Sequence, residues 1–205
     1  MFAAIEPRIE RPALVLRLRP AIEMGDDQFF EFCQLNRDLR IERTAEGDIV
    51  IMSPTGGTTS AANADLTQQV VTWARRDGSG VAFDSSGGFC LPNGAMRAPD
   101  VAWVERARLV AIPAERKNKF LPLCPDFVIE LLSPSENLGD AKAKMAEYLA
   151  NGARLGWLID PSDPSVYVYR PERPVERVQA PATLSGESVL PGFVLDLAPI
   201  WHPQF

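Results

Sequence analysis

Apolar and polar residues alternate along this chain with two periods, one near 3.6 and one near 2. The first predicts helices, the second half-buried strands. Helical spacing runs from Met24 to Asn36, with Phe29, Phe32, Cys33 and Leu35 on one side and Asp26 and Asp27 at the start, where the helix dipole favours acids. Leu39 to Glu42 and Asp48 to Met52 read as two strands around the turn Glu46-Gly47-Asp48. A second helix is predicted over 60–76, where Leu66, Gln69, Val70 and Trp73 recur at three and four, with Gly78 and Gly80 stopping it. Segments 81–84, 88–91 and 99–104, with the turn Pro92-Asn93-Gly94, predict a strand meander. Asp126 to Leu132 is an apolar run broken by Glu130, the pattern of a central strand buried on both faces. A helix follows over about 137–151, closed by Gly152, then strands over 155–159 and 166–169, and short strands around Pro191-Gly192 within 183–197. Residues 1–19, rich in Pro and Arg, predict an arm with one strand over 13–18, leaving 20–200 as a single domain. The order implies an α/β fold, a mixed sheet flanked by helices.

Composition narrows the chemistry. A length of 205 residues with 46% apolar and 23% charged residues suits one domain with a full core. No window approaches the roughly 18 consecutive apolar residues of a membrane span. The opening stretch carries Glu6 and Arg8 and lacks a long apolar region, which predicts no signal peptide and a cytoplasmic location. Cys33, Cys90 and Cys124 are scattered singly without a C-x-x-C pair, arguing against a disulfide framework or structural zinc. His202 is the one histidine, so a Ser-His-Asp triad and an H-E-x-x-H zinc site are excluded. The net charge of −6 is acidic for a nucleic-acid binder, which expects a basic face. Carboxylates clustered to hold cations, with a local basic stripe elsewhere, reconcile the two.

Two carboxylates stand out. Glu130 interrupts an apolar strand, and an ionised Glu there is costly unless paired or bound to metal. Alternation places it on the face of Val128 and Leu132, opposite Phe127, Ile129 and Leu131. Asp100 lies at the head of the preceding apolar strand; if the two strands are neighbours, both carboxylates project into one cleft. Two carboxylates without His or Cys make an all-oxygen site suited to Mg²⁺ or Mn²⁺. The next helix presents Lys144 and Tyr148 on one face, with Lys142 turned elsewhere.

These residues carry a family resemblance. Ser53-Pro54-Thr55-Gly56-Gly57, Asn63-Ala64-Asp65-Leu66, Pro99-Asp100-Val101, Pro125 through Ser135, Lys144 through Tyr148, Gly156 through Pro161 and Pro191-Gly192-Phe193 occur in an order that resembles the Uma-two family of restriction-endonuclease-like domains, within the PD-(D/E)XK nuclease superfamily. The resemblance covers about residues 20–200 and implies a restriction-endonuclease-like mixed sheet flanked by helices, with extra strands at both termini. It implies that Asp100 and Glu130 are metal ligands, that Asp65 supplies the helical acid, and that Lys144 replaces the motif lysine, because Leu132 occupies that lysine's usual place. The activity implied is Mg²⁺- or Mn²⁺-dependent hydrolysis of DNA phosphodiesters; cutting both strands of a duplex is simplest with two active sites, which predicts a homodimer. The alternative is a nuclease-like domain without turnover that binds nucleic acid or protein, which Leu132 and the acidic total favour.

Overall fold

A computed structural model describes residues 13–203. In chain order its elements are β1 (Leu14–Leu16), α1 (Asp26–Leu35), β2 (Arg40–Arg43), β3 (Ile49–Met52), α2 (Gly57–Asp77), β4 (Gly80–Asp84), β5 (Phe89–Cys90), β6 (Met96–Arg97), β7 (Val101–Glu105) and α3 (Arg106–Val110). After them come β8 (Phe127–Leu131), α4 (Leu138–Ala150), β9 (Leu155–Asp160), β10 (Ser165–Tyr169), β11 (Glu176–Gln179), β12 (Thr183–Ser185), β13 (Val194–Asp196) and α5 (Ala198–Trp201).

The six-stranded sheet β11-β10-β9-β8-β7-β4 is the frame. Its parallel pair, β8 and β9, is joined by the crossover helix α4, as a parallel pair requires. Strand alternation sorts the side chains. Phe127, Ile129 and Leu131 of β8, with Val101 and Trp103 of β7, pack against Leu66, Val70 and Ala74 of α2 and against Leu190, Phe193 and Leu195 near the C-terminus. Val128, Leu132, Ala102 and Val104 face the other way, onto Met145 and Tyr148 of α4. Gly156 lets α4 approach β9, since a Cβ there would meet Met145 Cε at 2.5 Å. Asn137 caps α4 by accepting from the Gly139 and Asp140 amides.

The second sheet has five strands in the order β1-β3-β2-β6-β5. It buries Phe29 of α1 against Ile49 and Met96. Arg43 ties α1 down by donating to the Met24 and Gly94 carbonyls and to Asp26 Oδ1. A two-stranded ribbon, β12 with β13, packs beside α2, where Gln69 pairs with both backbone groups of Asp196.

Three expectations need correction. The meander is divided between sheets: β4 and β7 pair in the large sheet, β5 and β6 in the small one. Chain continuity does not dictate hydrogen-bond partners, and the segment Ala98-Pro99-Asp100 crosses between the two sheets. Leu35, expected on the buried side of α1, is 85% exposed in the last turn, beyond the reach of the small sheet. The strand expected over 13–18 is present as β1, which pairs with β3; residues 1–12 of the expected arm lie outside the described residues. Strand β11 and helix α5 were not anticipated, β11 being polar and largely exposed and α5 only one turn. Among the described residues no helix is long and apolar enough to cross a membrane.

Candidate active site

The site lies where the two sheets meet and α4 covers the join. Strand β7 pairs antiparallel with β8, Val101 opposite Ile129, and continuing that register by one step sets Asp100 opposite Glu130. The two residues share the α4 side of the large sheet with Ala102 and Val128. The expected juxtaposition of Asp100 and Glu130 on adjacent strands and one face is therefore present.

Asp100, 5% exposed, is held from three directions. Its Oδ2 accepts the Leu131 amide at 2.9 Å, and its Oδ1 accepts from Arg40 Nη2 and Asn63 Nδ2, both at 3.3 Å. Glu130 Oε1 accepts the Tyr148 hydroxyl at 2.9 Å and pairs with Lys144 Nζ at 2.9 Å. Burial pushes the Glu130 carboxyl up to about 7; Lys144 draws it down, while Asp100 and Glu42 raise it. Burial opposes the charge on Lys144, but Glu130 and Glu42 outweigh it and hold the ammonium above its usual range.

Glu42 of β2 completes the arrangement. It is 3% exposed; its Oε1 accepts Lys144 Nζ at 2.9 Å and the Ala98 amide at 3.0 Å, and its Oε2 accepts Arg97 Nη1 at 3.1 Å. Burial works against its ionisation, yet Lys144 and Arg97 prevail and its pKa falls. Arg97 also donates from Nε to Glu147 Oε2 at 2.6 Å. Lys144 thus bridges one carboxylate from each sheet.

The remaining predicted site residue, Asp65, does not join this cluster. It is exposed on α2, and Asn63, two positions earlier, is the α2 side chain that reaches Asp100. The Leu66, Val70 and Ala74 stripe sets the helix rotation, and residues two apart point about 200° apart. Lys142 lies 4.1 Å from the Tyr167 ring centroid, away from Glu130, as its position on the helix predicted. Sequence reasoning missed Arg40, Glu42 and Arg97. The available signal for the first two was the run Arg40-Ile41-Glu42-Arg43, which overlaps the predicted strand Leu39 to Glu42 and holds three ionisable residues in four positions.

Four carboxylates (Glu42, Asp100, Glu130 and Glu147) meet three cations (Arg40, Arg97 and Lys144), so the ionised cluster carries a negative excess. Asn63 Oδ1 is buried beside Asp100 without a hydrogen-bond partner. An oxygen donor set with uncompensated negative charge and an orphaned amide oxygen fits a hard divalent cation held at Asp100 and Glu130. No group of three His, Cys, Asp or Glu side chains converges in metal-binding geometry among the described residues, so the protein would offer such a cation few ligands.

A crystal structure of a "putative nuclease belonging to DUF820" from Anabaena variabilis ATCC 29413 shares this fold, with a TM-score of 0.70 and 21% sequence identity over 87% of this chain and 98% of that one. At that identity the likeness is one of fold. No curated protein matches the chain. Residues 26–198 match the Uma2 family model, described as "Putative restriction endonuclease". That match spans the large sheet, the small sheet apart from β1, all of α2 and α4 and every residue of the cluster, and the chain belongs to the Uma2 family.

Proposed function

We propose that this protein is a Mg²⁺- or Mn²⁺-dependent nuclease that hydrolyses DNA phosphodiester bonds. The observation that carries the reading is Glu130: a buried strand carboxylate facing the same side as Asp100 and gripped by Lys144 and Tyr148. Asp100 and Glu130 would hold the metal, which when bound polarises the phosphate and lowers the pKa of a water. Lys144 offers an ammonium for charge developing on a phosphoryl oxygen. Tyr148 fixes the Glu130 carboxylate through Oε1. Burial raises the Glu130 carboxyl to about 7 before metal binds, so loading a metal there would displace a proton near neutral pH. The test incubates purified protein with plasmid and with single-stranded circular DNA in Mg²⁺, Mn²⁺ or EDTA. Cleavage with metal, lost with EDTA and in Asp100→Asn and Glu130→Gln, is expected. DNA left intact under all metals would overturn the reading.

A second reading has its own observation. Both metal-ligand candidates already have cationic partners, Arg40 on Asp100 and Lys144 on Glu130. A domain in which these cations permanently replace metal would bind nucleic acid or protein without turnover. It predicts that millimolar Mg²⁺ leaves the melting temperature unchanged.

A further inference from the structure

The cleft that holds Lys144 and Glu130, about 340 Å³, shares Met52 and Arg97 as walls with a larger groove of about 730 Å³. The two cavities therefore adjoin, but their charges differ. The groove carries Arg37, Arg40 and Arg97 against Asp38. The cleft carries Glu42, Glu130, Glu136, Asp140 and Glu147 against Arg97 and Lys144. Arg40 and Arg97 are paired with Asp100, Glu42 and Glu147, so the difference lies at the two ends: the far end of the cleft repels a polyanion, while Arg37, exposed on the groove, can receive one.

Arg40 stands at the junction. Its Nη2 atom makes both of its hydrogen bonds, to Asp100 Oδ1 and to the Ala98 carbonyl, while its Nε is buried with no partner. A guanidinium has five donors in a planar fork, so Arg40 has donors to spare beside the candidate metal ligand. Ser53, Thr55 and Ser60 add hydroxyls along the groove, and Met52 and Phe120 add apolar wall. Arginine and hydroxyl donors beside an apolar wall suit a sugar-phosphate with an unstacked base. A duplex presents its phosphates on a broad convex cylinder and stacks its bases inside. Such a duplex offers this groove its phosphate ridge only, whereas an unstacked strand can use the apolar wall as well.

We propose that this groove binds the substrate as an extended single strand, with Arg40 a phosphate-positioning residue next to Asp100 and Arg37 a further phosphate contact. The proposal rests on the nuclease reading for its substrate class. A single-stranded substrate also removes the need for two sites acting on opposite strands, which was the argument for a homodimer.

Fluorescence anisotropy with a labelled 20-nucleotide oligothymidylate and a duplex of equal length, in EDTA across a salt series, tests it. The single strand should bind at least about tenfold more tightly than the duplex. Arg37→Glu, at an exposed position, should weaken single-strand binding about tenfold and flatten the salt dependence by about 0.7 for each neutralised phosphate lost. Arg40→Gln should weaken it likewise. Equal or tighter duplex binding, or wild-type affinity in Arg37→Glu, would overturn the proposal, as would no binding of either DNA. Metal-dependent cleavage that prefers duplex would sink this proposal and leave the nuclease reading standing. Arginine-dependent single-strand binding without cleavage under any metal would do the reverse.

Discussion

Lys144 Nζ lies 2.9 Å from Glu130 Oε1, with the lysine on helix α4 and the carboxylate on strand β8. Leu132, where the resemblance read from the sequence leads one to expect a lysine, is 2% exposed and packs with Val128 and Met145. The ammonium thus reaches the carboxylate from above the sheet, and the strand position is released for core packing. Because Lys144 also pairs with Glu42, a substitution removes a cation from two buried carboxylates at once.

Lys144→Ala should therefore reduce turnover by orders of magnitude and also destabilise the fold, by about 3–5 kcal/mol, the cost of leaving a buried charge unpaired. Lys142→Ala should change turnover less than twofold and cost at most about 1 kcal/mol through its contact with Tyr167. Urea denaturation and single-turnover cleavage, measured on both variants, check the pair.

Metal binding should raise the melting temperature, because a ligand of the native state stabilises it by mass action. Asp100→Asn and Glu130→Gln should each abolish that rise. Equal shifts in wild type and both variants would place the metal elsewhere.

The Glu130 carboxyl has an ordinary pKa of 4.5 and is raised to about 7 in the fold, so the folded state holds its proton more tightly. Its contribution to stability is fully present below about 4.5 and is lost as pH rises through about 7. Metal affinity should run the opposite way, rising through the same window as the carboxylate ionises. Glu130→Gln should remove this component of the stability slope between those pH values, measured as denaturation midpoints in a pH series.

Glu42→Gln should act through Lys144 and Glu130. The buried Glu42 charge raises the Glu130 pKa, so its removal should shift the acid limb of the rate profile to lower pH. It should also cut turnover by about tenfold or more as Lys144 loses one of its two anchors. An unshifted profile would reduce Glu42 to a purely structural group.

Asp65→Ala should leave cleavage within twofold of wild type, since the residue is exposed outside the cluster. Asn63→Ala should lower metal affinity, because Asn63 supports Asp100 and carries the orphaned amide oxygen. A large loss in Asp65→Ala with none in Asn63→Ala would reverse this assignment.

Local sequence determined the burial of Glu130 and the side of the sheet it faces. Five of the six residues from Phe127 to Leu132 are apolar, the composition of a strand or helix interior; the flanking Pro125 and Pro134 hold the run to strand length, and the period of two then sorts its side chains. The same local rules place Lys144 and Tyr148 on one face of α4, because residues four apart meet on a helix. Tertiary structure decided the rest. Glu42 meets Lys144 across 102 residues, and Arg40 meets Asp100 across 60. No periodicity carries such pairings, because they follow from which sheet each strand joins. Helical spacing alone puts Asn63 on the apolar stripe with Leu66 and Val70 and leaves Asp65 outside it; that the N-terminal end of this stripe meets Asp100 follows from how α2 seats on β7 and β8. A buried carboxylate announces in the sequence that it needs a partner; only the packing of two sheets and a helix determines which partner it has.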